Sequence, residues 1–128
     1  MSNGLFSDLT TRLLIKSLDC CGLRQRVIAN NIANVETPGF KRSQVSFETK
    51  LRQVLTTSDE QLAEKQIESL SPDITVDTES PARPDGNNVS VEREMVDMAK
   101  NSIQYETLVQ LLNIKSAMIR AAMTDGRR

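Results

Sequence analysis

From Val91 onward the chain repeats itself at alternating steps of four and three: Val91, Met95, Met98, Ser102, Tyr105, Val109, Leu112, Ser116, Ile119 and Met123. An unbroken spacing of this kind belongs to a helix that lays one seam along a partner, and a strand or loop cannot express it. At 1.5 Å per residue the predicted helix is about 50 Å long. Ser90 stands where an N-cap belongs, Glu92 and Glu94 put carboxylates in the first turn, and Gly126 suits a C-terminal stop. A second, weaker seam runs through Leu14, Leu18, Cys21, Gln25, Ile28, Ile32 and Val35. It predicts a helix over roughly residues 5 to 35, with Gly22 as its weak interior position.

The stripe on the second helix is widened by Leu108, Leu111 and Ala122, beyond what a two-stranded coil covers. Aromatic residues are too sparse to cap it: Phe6, Phe40, Phe47 and Tyr105 are all there are. A subunit whose flanks are completed by other copies therefore fits better than a hairpin folded over its own insert. The methionines Met95, Met98, Met118 and Met123 read as packing residues, since no soft-ligand cluster accompanies them.

Charge divides the chain in three, with +3 over residues 1–50, −5 over 51–88 and +1 over 89–128. The acidic middle holds turn chemistries, among them Ser80-Pro81-Ala82-Arg83-Pro84 and Asp85-Gly86-Asn87-Asn88. Ile74 and Val76 are compatible with one short strand. The expected fold is all-α: long terminal helices forming a coiled-coil core around a short irregular insert with at most a minor β element. Its expected divisions are an N-terminal helix over 1–36, a turn and polar, partly extended or disordered insert over 37–88, and a C-terminal helix over 89–128.

Several functions are disfavoured at once. Histidine is absent, which removes Ser-His-Asp and Cys-His catalysis and every His-containing metal site. The middle carboxylates have no base partner or cradle around them, so no catalytic residue, cofactor, metal or small-molecule substrate is expected. A net charge of −1 offers no field for a phosphate backbone, so nucleic acid is not an expected partner. Near the start the longest apolar run, Leu13-Leu14-Ile15, is too short for a secretory leader, and no stretch approaches a membrane span. Cys20 and Cys21 are helix neighbours about 100° apart, which rules out a relaxed disulfide between them and favours two small apolar residues.

The most informative segment is Ala29-Asn30-Asn31-Ile32-Ala33-Asn34-Val35-Glu36-Thr37-Pro38-Gly39-Phe40-Lys41. On a helical wheel Asn30, Asn31 and Asn34 lie opposite or beside the seam of Ile28, Ile32 and Val35. Three asparagines lower helix propensity, so their amides need partners, either bracing the following turn within one chain or bonding between subunits. Thr37-Pro38-Gly39-Phe40 fits a type II turn, with Pro38 fixing φ and Gly39 supplying a positive one.

These residues resemble the axial proteins of the bacterial flagellum, whose rod and hook members carry an ANNIANVxTPGF/YK-like segment near the N-terminus. Asp85-Gly86-Asn87-Asn88-Val89, then Glu94-Met95-Val96-Asp97-Met98-Ala99-Lys100-Asn101 and Tyr105, look like the proximal rod subunit rather than its sibling FlgC. The resemblance implies a non-enzymatic building block of the basal-body rod, exported to the periplasm through the flagellar type III apparatus without a cleaved signal. It implies contacts with copies of itself, with FlgC, FlgF and the adaptor FliE, and with MS-ring and export-gate components. The assembly motif it marks is Asn30, Asn31, Asn34, Pro38, Gly39 and Phe40. A cytoplasmic coiled-coil adaptor or export chaperone is the alternative from another class.

Overall fold

The computed structural model describes residues 8–126. The elements follow in the order α1 (Asp8–Ala33), β1 (Ser43–Ser46), α2 (Glu48–Thr56), α3 (Glu60–Glu68), β2 (Asp73–Val76) and α4 (Val91–Gly126). The expected all-α architecture holds, with the two long terminal helices packed on each other and a two-stranded sheet beside them. The first helix is shorter than its seam suggested, because Val35 already lies in the turn beyond Ala33. The predicted positions 5–7 fall outside the described residues.

The insert is more ordered than its composition implied. Two nine-residue helices stand where an irregular segment was expected. Asp59 caps α3, its carboxylate accepting from the backbone N–H of Gln61 at 3.0 Å and of Leu62 at 3.5 Å. Val54, Ala63, Ile67 and Leu70 are buried there. Each helix carries too few apolar positions to show a period, and what orders them is contact with each other and with α1. Ile74 and Val76 do lie in a strand. β2 pairs antiparallel with β1 in the register Ser43↔Val76 and Val45↔Ile74.

The core is small and sits where α1 meets β1. Cys20, Cys21, Val45 and Phe47 are buried together, with Leu23, Val27, Leu51 and Leu108 packed against them. Both cysteines are free thiols used as small apolar groups, and burial raises the pKa of each. Arg24 fastens the rim of this core. Its guanidinium lies 4.8 Å from the Phe47 ring, donates to the Val45 carbonyl at 2.7 Å and grips both Glu48 oxygens at 2.7 and 2.8 Å. The base of α1 is thereby tied to β1 and to the start of α2.

Candidate assembly site

The residues that close the hairpin between α1 and α4 are polar and deeply buried. At the end of α1, Asn31 is 1% exposed. Its amide nitrogen donates to the Ser43 carbonyl at 2.8 Å and to Glu94 at 3.1 Å, and its oxygen accepts from the Ser43 N–H at 3.0 Å. Asn31 thus reads the edge of β1 as a neighbouring strand would, and reaches the first turn of α4 with the same group.

Arg42 is the centre. Its Nε donates to Glu94 at 2.6 Å, one Nη to Asp77 at 3.2 Å, and the other lies 3.6 Å from Asp97. Burial works against its charge, but the bonds to Glu94 and Asp77 outweigh that, so the guanidinium is more firmly protonated than usual. The Asp77 carboxyl is held well below the usual range, first by the Ser80 hydroxyl, then by the N–H groups of Ser80 and Glu79 and by Arg42. Glu94 has no exposed surface. A buried charge of either sign costs several kcal/mol unless paired, so these groups require one another.

Two asparagines complete the lock. Asn87, wholly buried, shares the two protons of its one amide among three carbonyls of the segment that follows α1: Asn34 at 2.9 Å, Val35 at 3.1 Å and Thr37 at 2.9 Å. Asn88 accepts from the Arg42 N–H at 2.7 Å and donates to the Asp77 carbonyl at 2.7 Å. The turn at 37–40 has the expected form, with Gly39 at φ 75° and the Phe40 N–H donating to the Thr37 carbonyl at 3.2 Å. It docks on a second glycine turn, Gly39 N–H donating to the Asp85 carbonyl at 2.8 Å. Gly86 has φ 88°, and a Cβ there would meet the Gly39 Cα at 3.3 Å. The two turns approach this closely because Gly86 carries no side chain, whereas at Gly39, where a Cβ would meet nothing within 4 Å, it is the positive φ that calls for glycine.

Of the three motif asparagines, then, Asn31 is the one built into the interior. Asn34 donates to Asn30 at 2.6 Å and accepts from the Thr37 hydroxyl at 3.1 Å, an outer brace on the same turn. Pro38 is exposed and Phe40 half-buried. The structure adds Arg42, Asp77, Asn87, Asn88 and Glu94, which sequence reading did not single out as a cluster. Asn87, Asn88 and Glu94 stood in segments that carry the family resemblance, but nothing in the sequence joined them to Arg42 and Asp77.

The seam also falls differently. Along α4 the position facing α1 and the core is Glu94, Asn101, Leu108 and Lys115, one residue in seven, with the three polar members buried. That is one residue short of the seam positions Met95, Ser102, Val109 and Ser116, and of the seam Met95, Tyr105 and Met123 are exposed. Val91, Met98, Val109, Leu112 and Ile119 are half-buried at its sides, as are Leu14, Leu18, Ile32 and Val35 on the α1 side, where Ile28 is buried. Val96, Ile103, Leu111, Ile114 and Met118 point outward. The periodicity was real, but aliphatic residues are spread around the helix and polar ones occupy the inner position.

A family model described as "Flagella basal body rod protein" matches residues 23–41, the segment that carries Asn31 and the glycine turn. Over nearly the whole chain, the flagellar basal body rod protein FlgB of Bacillus subtilis (strain 168) is 32% identical across 128 residues, covering 96% of this chain and 98% of its own. The chain belongs to the FlgB family of flagellar basal body rod proteins. The FlgB of Borrelia hermsii is 35% identical over 88% of this chain and 95% of its own length. That of Yersinia enterocolitica is 28% identical over 93% and 96%. Within this rod family the matched segment coincides with the root of the hairpin, where the buried polar network lies.

Proposed function

We propose that this FlgB-family chain is a proximal subunit of the flagellar rod and that its terminal helices hold it to its neighbours. The observation that carries the reading is the inversion on α4: polar groups at the inner position, with large aliphatic residues outside, Ile103 at 66% exposure among them. Large aliphatic residues standing outward among the polar ones call for a cover, and within the described chain only one side of α4 has it. The motif Asn30, Asn31, Asn34, Pro38, Gly39 and Phe40 then serves assembly indirectly, by fixing the angle at which α1 and α4 leave the hairpin root. The role is architectural and calls for no catalysis.

The resemblance supports the finer points. Neighbours are copies of the chain, the rod proteins FlgC and FlgF, the adaptor FliE, and components of the MS ring and export gate. The chain reaches the periplasmic rod from the cytoplasm without a cleaved signal peptide. Residues 1–36 and 89–128 act as the packing helices and 37–88 as the insert between them. The test is deletion of the gene in its host, with basal bodies imaged and a tagged copy followed through their purification. The expected result is loss of rods in the deletion strain and recovery of the tag with the basal bodies. Intact rods, with the tag confined to the cytosol, would instead identify a cytoplasmic adaptor or export chaperone.

A further inference from the structure

Each long helix carries a second row of residues on the side turned away from its partner. On α1 the row is Ile15, Asp19, Gly22 and Arg26, at steps of four, three and four, with Gly22 half-buried and the others exposed. On α4 it is Glu92, Val96, Lys100 and Ile103, at steps of four, four and three, all exposed. The buried positions lie on the opposite sides, Ser17, Cys21 and Ile28 on α1 and Glu94 and Asn101 on α4. Asp19, Arg26, Glu92 and Lys100 form no ion pair among the described residues. Gly22 is unexplained in the same way. A Cβ placed on it meets nothing within 4 Å, so no contact among the described residues calls for glycine where it weakens the helix relative to alanine.

The two rows fit one another when α1 of one copy lies antiparallel on α4 of another. Setting Asp19 against Lys100 brings Arg26 opposite Glu92, Gly22 opposite Val96 and Ile15 opposite Ile103. Both opposite-charge pairs form together, an aliphatic side chain meets the bare glycine, and the two isoleucines meet. The charges fix the register. Sliding α1 by one heptad sets Arg26 against Lys100 with Asp19 beside Glu106 in one direction, and Asp19 against Glu92 with Arg26 past the start of α4 in the other. The direction follows from the fold. Asn31 reaches Glu94 while Cys21 lies against Asn101, so α1 and α4 are antiparallel within one copy. An antiparallel contact between copies therefore leaves both pointing the same way, as copies along a rod must. A parallel contact, which would bring Arg26 to Glu106, turns the second copy end over end.

We propose that the outer face of α1, from Ile15 to Arg26, seats on the outer face of α4, from Glu92 to Ile103, of a second copy. Ion pairs at such exposed positions select partner and register more than they add strength, and the aliphatic residues supply the buried area. The two faces differ, so each copy keeps one of each for a further neighbour and the contact propagates. This contact rests on the rod-subunit reading and names the partner surface within it.

The experiment uses the full-length chain in its host. Ile103 is replaced by photo-reactive benzoylphenylalanine, assembled basal bodies are irradiated, and the adduct is mapped by mass spectrometry. In parallel the charges are reversed as Arg26→Glu and Glu92→Arg, singly and together, and as Asp19→Lys and Lys100→Glu, singly and together. Arg26→Glu combined with Glu106→Arg is the control. The expected results are an adduct near Ile15 of a second copy, a loss of rod incorporation of about tenfold in each single variant, and recovery in the two matched doubles but not in the control. Should the bulkier residue at 103 prevent assembly, the charge exchanges decide alone. An adduct elsewhere in the chain, on another rod protein or nowhere, matched doubles no better than the singles, or recovery in the control, overturns this contact while rods that contain the chain leave the rod reading standing. Absence of the unmodified chain from basal bodies overturns that reading first, and this one with it.

Discussion

At the scale of single residues, interior position rather than membership in the motif decides what a substitution costs. Asn87→Ala removes the amide shared among three carbonyls of the segment that follows α1 and should lower stability by about 2 kcal/mol or more in urea unfolding. Asn30→Ala and Asn34→Ala, on the outer brace, should stay within about 0.5 kcal/mol. Gly39→Val should be costly too, since a β-branched residue is strained at positive φ. Acid sensitivity is also a residue property. The Arg24 bond holds Glu48 at about 2, below its ordinary 4.5. A carboxyl with a depressed folded pKa contributes fully above its unfolded value and loses that contribution as pH falls through the folded one. Stability should therefore be flat from pH 7 to about 5 and fall between about 4.5 and 2, in the same direction that Asp77 imposes. Urea midpoints across that range measure it, and Glu48→Gln should flatten the upper part of the fall.

At the scale of elements, α4 separates folding from assembly. Ile103→Asp and Val96→Asp place charges on exposed positions and should leave the monomer's urea midpoint nearly unchanged while blocking rod incorporation. Leu112→Asp, half-buried, should damage both. The two long helices were legible because spacing of four and three survives whichever face turns inward. Which face does so was not legible, because the pattern records where aliphatic residues lie and the inner position here is Glu94, Asn101 and Lys115. The glycine turn was legible from Pro38-Gly39, whose backbone demands are local. The Arg42 cluster was not, since it joins residues from five segments and only the folded chain brings them together. Helices α2 and α3 escaped for a related reason: their few buried residues become a core only once α1 lies beside them.

At the scale of the whole molecule, order is graded along the hairpin. Its root holds the buried network, its middle the small core, and its far end, from residue 120 to Gly126, exposed residues of α4. A lone helical hairpin buries little apolar area, which argues for terminal helices largely unfolded before assembly. The network confines that expectation to the distal end. Hydrogen exchange on dilute monomer should show strong protection near residues 28–34 and 89–101 and rapid exchange beyond about residue 120, where every described residue of α4 is exposed, with protection appearing there only in assembled rods. Uniform protection to Gly126 in the monomer would contradict the gradient.

The sequence distances inside that root set a clock. Glu94 is 63 residues from Asn31 and 52 from Arg42, so a chain emerging N-terminus first carries Arg42 without its main counter-charge until more than two thirds of it has appeared. Until then the chain has the turn, the strand and the small helices in order but lacks the group that binds them to one another, and loop closure over such spans is slow compared with local pairing. A fragment that stops short of residue 94 should stay pliable and open to proteolysis. Passage of Glu94, rather than any shorter length, makes the root rigid.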